Sequence, residues 1–157
     1  MTDFDKTTGI QYKMVTHLKK DLFMDKEMVV TFPGNKRADA SYKGFTIKTD
    51  QPIYQNGDGS APAPFDLFLA SIGTCAGLYL LSFCQSRGIA TDSMSVTLKT
   101  EMDQKKKKIT KVIVEAHLPS SFPKRYKRAV IKSMDSCAVK KYIESPFAFE
   151  TLAAIKN

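Results

Sequence analysis

Residues 63–89 read APFDLFLASIGTCAGLYLLSFCQSRGI, and the fold turns on how they are read. No charged side chain occurs from Leu67 to Ser86, yet two of the three cysteines in the chain, Cys75 and Cys84, lie there. Pro64 suits the first turn of a helix, where its missing N–H costs nothing, and Asp66 suits the positive end of the helix dipole. Arg87 suits the negative end, and Gly88 sits where a left-handed residue stops a helix. One helix is therefore predicted from about Pro64 to about Arg87, roughly 36 Å long. Its middle is apolar all round, so either protein or lipid must enclose it. About 20 uncharged residues can span a bilayer. Here Ser71, Gly73, Thr74, Gly77, Ser82, Gln85 and Ser86 dilute the hydrophobicity, and no aromatic belt flanks the segment. A buried central helix is expected, not a membrane span.

Outward from this helix, the flanking segments alternate. On its N-terminal side, Ile10 to Lys19 and Met28 to Phe32 read as strands, the second closed by the turn Pro33-Gly34. A third strand, Phe45 to Thr49, follows the turn Lys43-Gly44. Gln51 to Pro64 (QPIYQNGDGSAPAP) is a Gly- and Pro-rich loop, long enough to be functional. On the C-terminal side, Ser93 to Glu101 and Ile109 to Leu118 alternate with period two and are predicted to pair as a hairpin. Pro123 to Met134 has an amphipathic helical pattern. Asp135 or Ser136 can cap a short helix at Cys137, ended by Pro146, and Phe147 to Leu152 reads as a last strand. No repeat, linker or low-complexity tract interrupts residues 1–157, so one α+β domain is expected.

The chain has 157 residues and a formal charge of +8, which raises nucleic acid as a partner. The basic residues are scattered, however, and the densest run, Lys105 to Lys108, falls in a hairpin turn, so no nucleic acid is expected. His17 and His117 lack neighbours at metal-ligand spacing, so no metal is expected either. The N-terminus has no apolar run of the secretory kind, and three cysteines do not make a disulfide framework. A reducing, cytoplasmic location is the expectation.

Cys75 and Cys84 are nine residues apart, about half a turn of rotation and about 13.5 Å of rise on one helix. A disulfide needs Cα atoms about 4.4–6.8 Å apart, so these two cannot pair, and only Cys137 remains as a partner for either. A free thiol of pKa ~8.5 is about 3% ionised at pH 7, and making it mostly thiolate takes about 2.7 kcal/mol. Cys137, at a helix start with Lys140 and Lys141 one turn on, has features that favour a thiolate. Cys75, mid-helix in apolar surroundings, needs a nearby cation to become one. Without such help, all three cysteines read as small core residues.

The segment APFDLFLASIGTCAG, followed by SCAVKKYIESP, resembles the OsmC-like proteins, which include the organic hydroperoxide resistance proteins. The order of three strands, long helix, hairpin, helix, short helix and strand is similar over essentially the whole chain. The resemblance implies an intertwined homodimer with two antiparallel-rich sheets wrapped around long central helices, each site built from both subunits. It implies a thiol peroxidase acting on alkyl or lipid-like hydroperoxides, with Cys75 as the nucleophile and Cys137 as the resolving thiol. A thiol or dihydrolipoyl donor re-reduces the disulfide, and no bound cofactor is needed.

One departure stands out. The peroxidases of this family place a glutamate after the loop proline to pair with an activating arginine, and here Phe65 occupies that position. Asp66 follows, on the helix face opposite Cys75. Arg37 is the candidate arginine, with a solvent-exposed turn residue as the alternative. Phe65, Phe68, Ile72 and Tyr79 are candidate substrate contacts, the last three sharing the Cys75 face at helical spacing; ordinary core packing explains them equally. The rival reading of the chain is a non-peroxidatic OsmC-like redox sensor or a binder of small apolar ligands.

Overall fold

The computed structural model describes residues 27–155, which fall into two compact units divided between Ala63 and Pro64. The strand expected over Ile10 to Lys19, and His17 with it, lies outside the described residues.

The N-terminal unit holds an antiparallel sheet of order β1-β2-β3, with β1 at Val29–Thr31, β2 at Asp39–Tyr42 and β3 at Phe45–Ile47. β2 is absent from the sequence reading, because Asp-Ala-Ser carries no strand propensity. Pairing on both sides makes it a strand: Val30 faces Ala40, which faces Ile47. Lys43 and Gly44, at φ 49° and 82°, form the two-residue hairpin turn whose twist suits the flanking strands. Cross-strand partners share a face, so Val30, Ala40, Ile47, Tyr42 and Phe45 form one apolar side. On that side Val30, Ile47 and Phe45 are exposed.

The loop that follows is organised by one buried carboxylate. Asp50 is fully buried and accepts hydrogen bonds from the Gln51 N–H at 2.7 Å, the Asp58 N–H at 3.2 Å and the Ser60 N–H at 3.0 Å. The Ser60 hydroxyl donates a fourth at 2.8 Å. The loop closes so tightly that a Cβ on Gly57 would sit 1.8 Å from the Gln51 carbonyl oxygen, so no other residue fits there without backbone movement. The Ser60 N–H bond is the main force holding the Asp50 carboxyl below its ordinary value, and with the other donors it outweighs burial.

The C-terminal unit is built on α1, Pro64–Gln85. The helix stops as a Schellman motif: the Gly88 N–H bonds to the Gln85 carbonyl at 3.2 Å and the Ile89 N–H to the Cys84 carbonyl at 3.0 Å. Gly88 takes the left-handed conformation this requires, at φ 63°. The hairpin consists of β4, Ser95–Asp103, and β5, Lys108–His117, with a bulge at Glu101/Met102. A 3-10 turn at Lys124–Tyr126 leads into α2, Lys127–Asp135, and α3 is Ala138–Glu144. Ala76, Leu80, Phe83 and Cys84 of α1 pack with Phe122 and with Val130 and Met134 of α2, and Val96, Val114 and Ala116 of the hairpin close over them. By length and composition alone α1 would cross a bilayer; β4, α2 and α3 supply protein neighbours along it instead. Not every side is covered: Phe65, Phe68 and Leu78 stay exposed.

Two expectations need correction. Phe147 to Leu152 is not a strand. Its alternating pattern needs a neighbouring edge to take its backbone groups, and it has none among the described residues. Instead the rings of Tyr142, Phe147 and Phe149 pack on one another, with centroids 6.2 and 5.1 Å apart. The cap of α3 is Cys137 itself, not Asp135 or Ser136.

The native Asp50 carboxyl titrates below its unfolded value, so its contribution to stability is present above the unfolded pKa of roughly 3.9 and is lost as pH falls through the native one. Asp50→Asn should melt at a lower temperature than the wild type at pH 7 in differential scanning fluorimetry. Its melting temperature should also fall less on acidification; parallel curves for the two proteins would contradict this role. Separately, Leu80→Ala should cost about 3 kcal/mol in urea unfolding.

Candidate active site

Cys75 lies midway along α1 and is partly exposed, while Cys137 ends the link between α2 and α3 and is 1% exposed. The chain brings them together because α3 starts against the middle of α1. The first N–H groups of any helix lack intrahelical acceptors. No oxygen side chain caps α3, since its cap residue is a cysteine whose side chain makes no capping bond. Sulfur supplies acceptors in its place. The Cys137 side chain and the backbone N–H groups of Val139 and Ala138 lie by the Cys75 sulfur and favour its thiolate. The N–H groups of Lys140 and Val139 favour an anion on Cys137 as well, but less than burial opposes it.

These contacts split the two thiols. Burial pushes Cys75 up, but its bonds to Cys137, Val139 and Ala138 outweigh burial and bring it below the ordinary thiol value. Burial also pushes Cys137 up, and there the hydrogen bond to Cys75 and the Cys75 charge add to it, against the N–H groups of Lys140 and Val139. Local residue types alone suggested the reverse, with the helix-start cysteine as the thiolate, whereas the family resemblance named Cys75 as the nucleophile. The reason for the difference is geometric: the positive end of α3 is presented to the sulfur of another helix. The lysine beside the pair is engaged as well. Lys140 Nζ is 2.8 Å from Asp135 Oδ1, and that bond holds its pKa above the ordinary lysine value.

Cys84 belongs to neither group. It is wholly buried, its sulfur lies 3.9 Å from Met94 Sδ, and burial pushes its pKa up, so it is core.

The remaining candidates lie on α1 and in the N-terminal unit. Phe65 and Phe68, at the start of α1, form a tilted ring pair 5.5 Å apart and are exposed. Ile72 is buried. Tyr79 is partly buried, and its carbonyl accepts a 3.3 Å bond from the Ser133 hydroxyl. Arg37 belongs to the N-terminal unit, where it pairs with Asp39 at 2.8 Å. Its Nε is buried and has no partner among the described residues. Asp39 also accepts the Thr49 N–H at 3.3 Å. An apolar cleft of about 630 Å³, lined by Ala70, Gly73, Gly77, Leu81, Val96 and Leu98 among others, lies on the α1 face turned away from Cys75. Among the described residues no cluster of His, Cys, Asp or Glu could hold a metal ion, and His117 Nε2 is 2.9 Å from Thr97 Oγ1. Sequence reasoning missed the Ala138 and Val139 N–H groups, which have no residue-type signature. It also missed Asp39, whose position two residues after Arg37 was the available signal.

A family model described as OsmC-like protein matches residues 57–151. Among solved structures, a Psychrobacter arcticus protein, provisionally described as an osmotic stress induced and detoxification response protein, is 19% identical, with a TM-score of 0.63 over 76% of this chain and 90% of that one. An OsmC-like protein from Mycoplasma pneumoniae is 12% identical, with a TM-score of 0.59 over 78% and 91%. The organic hydroperoxide resistance protein OsmC of Legionella pneumophila is 17% identical, with a TM-score of 0.52 over 74% and 88%. At these identities the likeness establishes the fold. No curated protein matches the chain.

Limiting iodoacetamide at pH 7, followed by peptide mass mapping, should label Cys75 first. Cys84 should stay unlabelled until the protein is unfolded. Equal labelling of the two would contradict the environments described above.

Proposed function

The chain belongs to the OsmC-like family, and we propose that within it this protein is a thiol peroxidase for organic hydroperoxides. The observation that carries the reading is the asymmetric pair: a partly exposed Cys75 whose thiol pKa is lowered, beside a buried Cys137 whose thiol pKa is raised. The Cys75 thiolate attacks the terminal peroxide oxygen, and the O–O bond breaks. The alkoxide leaves, taking a proton to become an alcohol, and Cys75 becomes a sulfenic acid. The Cys137 sulfur then attacks the Cys75 sulfur, and water leaves with the Cys137 proton. The resulting disulfide is reduced by an external dithiol, such as a dihydrolipoyl group, which is itself oxidised to a disulfide. No bound cofactor takes part, and the cycle suits a reducing, cytoplasmic setting. The exposed rings of Phe65 and Phe68 favour alkyl or lipid-like peroxides over hydrogen peroxide.

The homodimer is part of the same reading. The apolar side of the N-terminal sheet, with Val30, Phe45 and Ile47 exposed, and the exposed Phe65, Phe68 and Leu78 of α1 need cover that the described residues of one copy do not supply. A second copy also offers strand edges for the alternating segment 147–152. In the family resemblance a glutamate partners the arginine; here Asp39 holds Arg37. Phe65 in the glutamate's place favours a second reading, a non-peroxidatic sensor or binder of small apolar ligands.

One equivalent of t-butyl hydroperoxide should remove two hydrogens from the intact mass and yield a Cys75–Cys137 crosslinked peptide. Cys75→Ser should abolish turnover, and Cys137→Ser should leave a sulfenic acid at position 75 that dimedone captures. Thiols inert to peroxide, in a protein whose melting temperature still rises with an apolar ligand, would select the second reading. In light scattering after size exclusion the wild type should have twice the chain mass, and Phe45→Asp should weaken that assembly.

A further inference from the structure

Folding gathers basic residues around α2. Five of the nine residues from Lys124 to Lys132 are basic, and no Asp or Glu occurs from Ala116 to Met134. Lys124 and Arg125 lie in the 3-10 turn, Lys127, Arg128 and Lys132 on α2, and all of them are exposed. Arg87, just past the end of α1, joins them. Its guanidinium stands 3.8 Å from the Phe83 ring centre and 5.6 Å from that of Tyr126, which Arg125 approaches to 4.8 Å. We propose that this basic face of the C-terminal unit docks on an anionic phospholipid surface. The docking rests on charge and does not need the peroxidase reading; together they bring the enzyme to the leaflet that holds lipid-like hydroperoxides.

The charges have no answer within the chain. Ion pairs among the described residues use Arg37, Lys99, Lys111 and Lys140, and none of the basic side chains of this face. Asp135, the nearest acid along α2, is taken by Lys140 at 2.8 Å. The Tyr126 ring therefore brings two guanidinium groups together with no carboxylate paired to either, an arrangement that an external anion relieves. The face is also preorganised. Arg87 Nη1 donates to the Phe83 carbonyl at 3.1 Å and to Ser86 Oγ at 2.8 Å, and the buried Val130 and Met134 seat α2 in the core. Groups already in place lose little freedom on binding.

Ile131 selects the kind of anion. At 100° per residue it falls between Lys127 and Arg128 on the outward side of α2, and it is 49% exposed. An apolar side chain among basic ones gains nothing against a sugar-phosphate backbone, but suits the boundary between headgroups and acyl chains. Residues 116–134 also contain no Asn or Gln to read base edges. Because the apolar side of α2 is held by the core, the helix adsorbs through its charged side and does not insert.

The test is co-sedimentation of the full chain with phosphatidylcholine vesicles, with and without about one-third phosphatidylserine, in about 50 mM salt. The wild type should pellet with the anionic vesicles only, and about 0.3 M salt should release most of it. Lys127→Gln/Arg128→Gln/Lys132→Gln should partition about a hundredfold less, whereas Lys105→Gln/Lys106→Gln/Lys108→Gln, which removes the same charge from the hairpin turn, should stay within about threefold of wild type. None of these side chains makes an ion pair among the described residues, so both variants should melt like the wild type. A footprint needs no variant: acetylation mapped by peptide mass spectrometry should find Lys127 and Lys132 shielded by anionic vesicles, and Lys105 and Lys106 not. A wild type that ignores anionic vesicles, equal losses in the two variants, or an even footprint would overturn the proposal. So would binding of a DNA duplex at lower concentration than the vesicles, which would assign the face to nucleic acid. None of these readouts involves a thiol or a peroxide, so failure of the peroxidase reading remains a separate result.

Discussion

Everything at the site follows from one docking event: the start of α3 resting against the middle of α1. It joins two cysteines that lie 62 positions apart in the chain and presents the unpaired amides of a helix start to a sulfur on another element. Without it, Cys75 would be an apolar-helix thiol with a raised pKa and Cys137 an ordinary buried one. α2 makes the contact possible, because Val130 and Met134 seat it in the core formed by Ala76, Leu80 and Phe83 of α1. The short link to α3 then has little choice about where Cys137 goes.

The apolar character of α1 is shared among several neighbours. One side carries the core with α2, another faces the hairpin where Gly73 and Gly77 leave space beside Leu98 and Val96, and a third holds Cys75. Phe65, Phe68 and Leu78 remain in solvent. That residue of exposed apolar surface, with the one-sided sheet of the N-terminal unit, is what the proposed assembly with a second copy rests on. It also bears on the segment 147–152, whose alternating pattern becomes a strand only beside an open edge.

The charge logic of the site differs from what a search for ion pairs would find. Among the described residues no lysine or arginine charge contributes to the lowered pKa of Cys75, and Lys140 is held by Asp135. The stabilisation comes from backbone dipoles and a neighbouring thiol. Hydrogen bonds to a charged group are worth about 1.5–3 kcal/mol each, enough in combination to offset partial burial of a thiolate.

Much of the fold was legible in the sequence because it rests on periodicity and punctuation. Pro64 and Gly88 mark the ends of α1, alternation marks the hairpin, and Pro33-Gly34 and Lys43-Gly44 mark turns. Those are local signals, and residues 63–89 determined by themselves that the protein is organised on a long apolar helix carrying a thiol. What needed tertiary structure was everything set by a distant partner: that Asp39–Tyr42 is a strand, that 147–152 is not one among the described residues, and that Asp50 gathers its loop. The deciding case is the polarity of the two thiols. Residue type and neighbours along the chain favoured a thiolate at Cys137, but a pKa answers to the donors that surround an atom in space, and folding delivers most of those donors to Cys75.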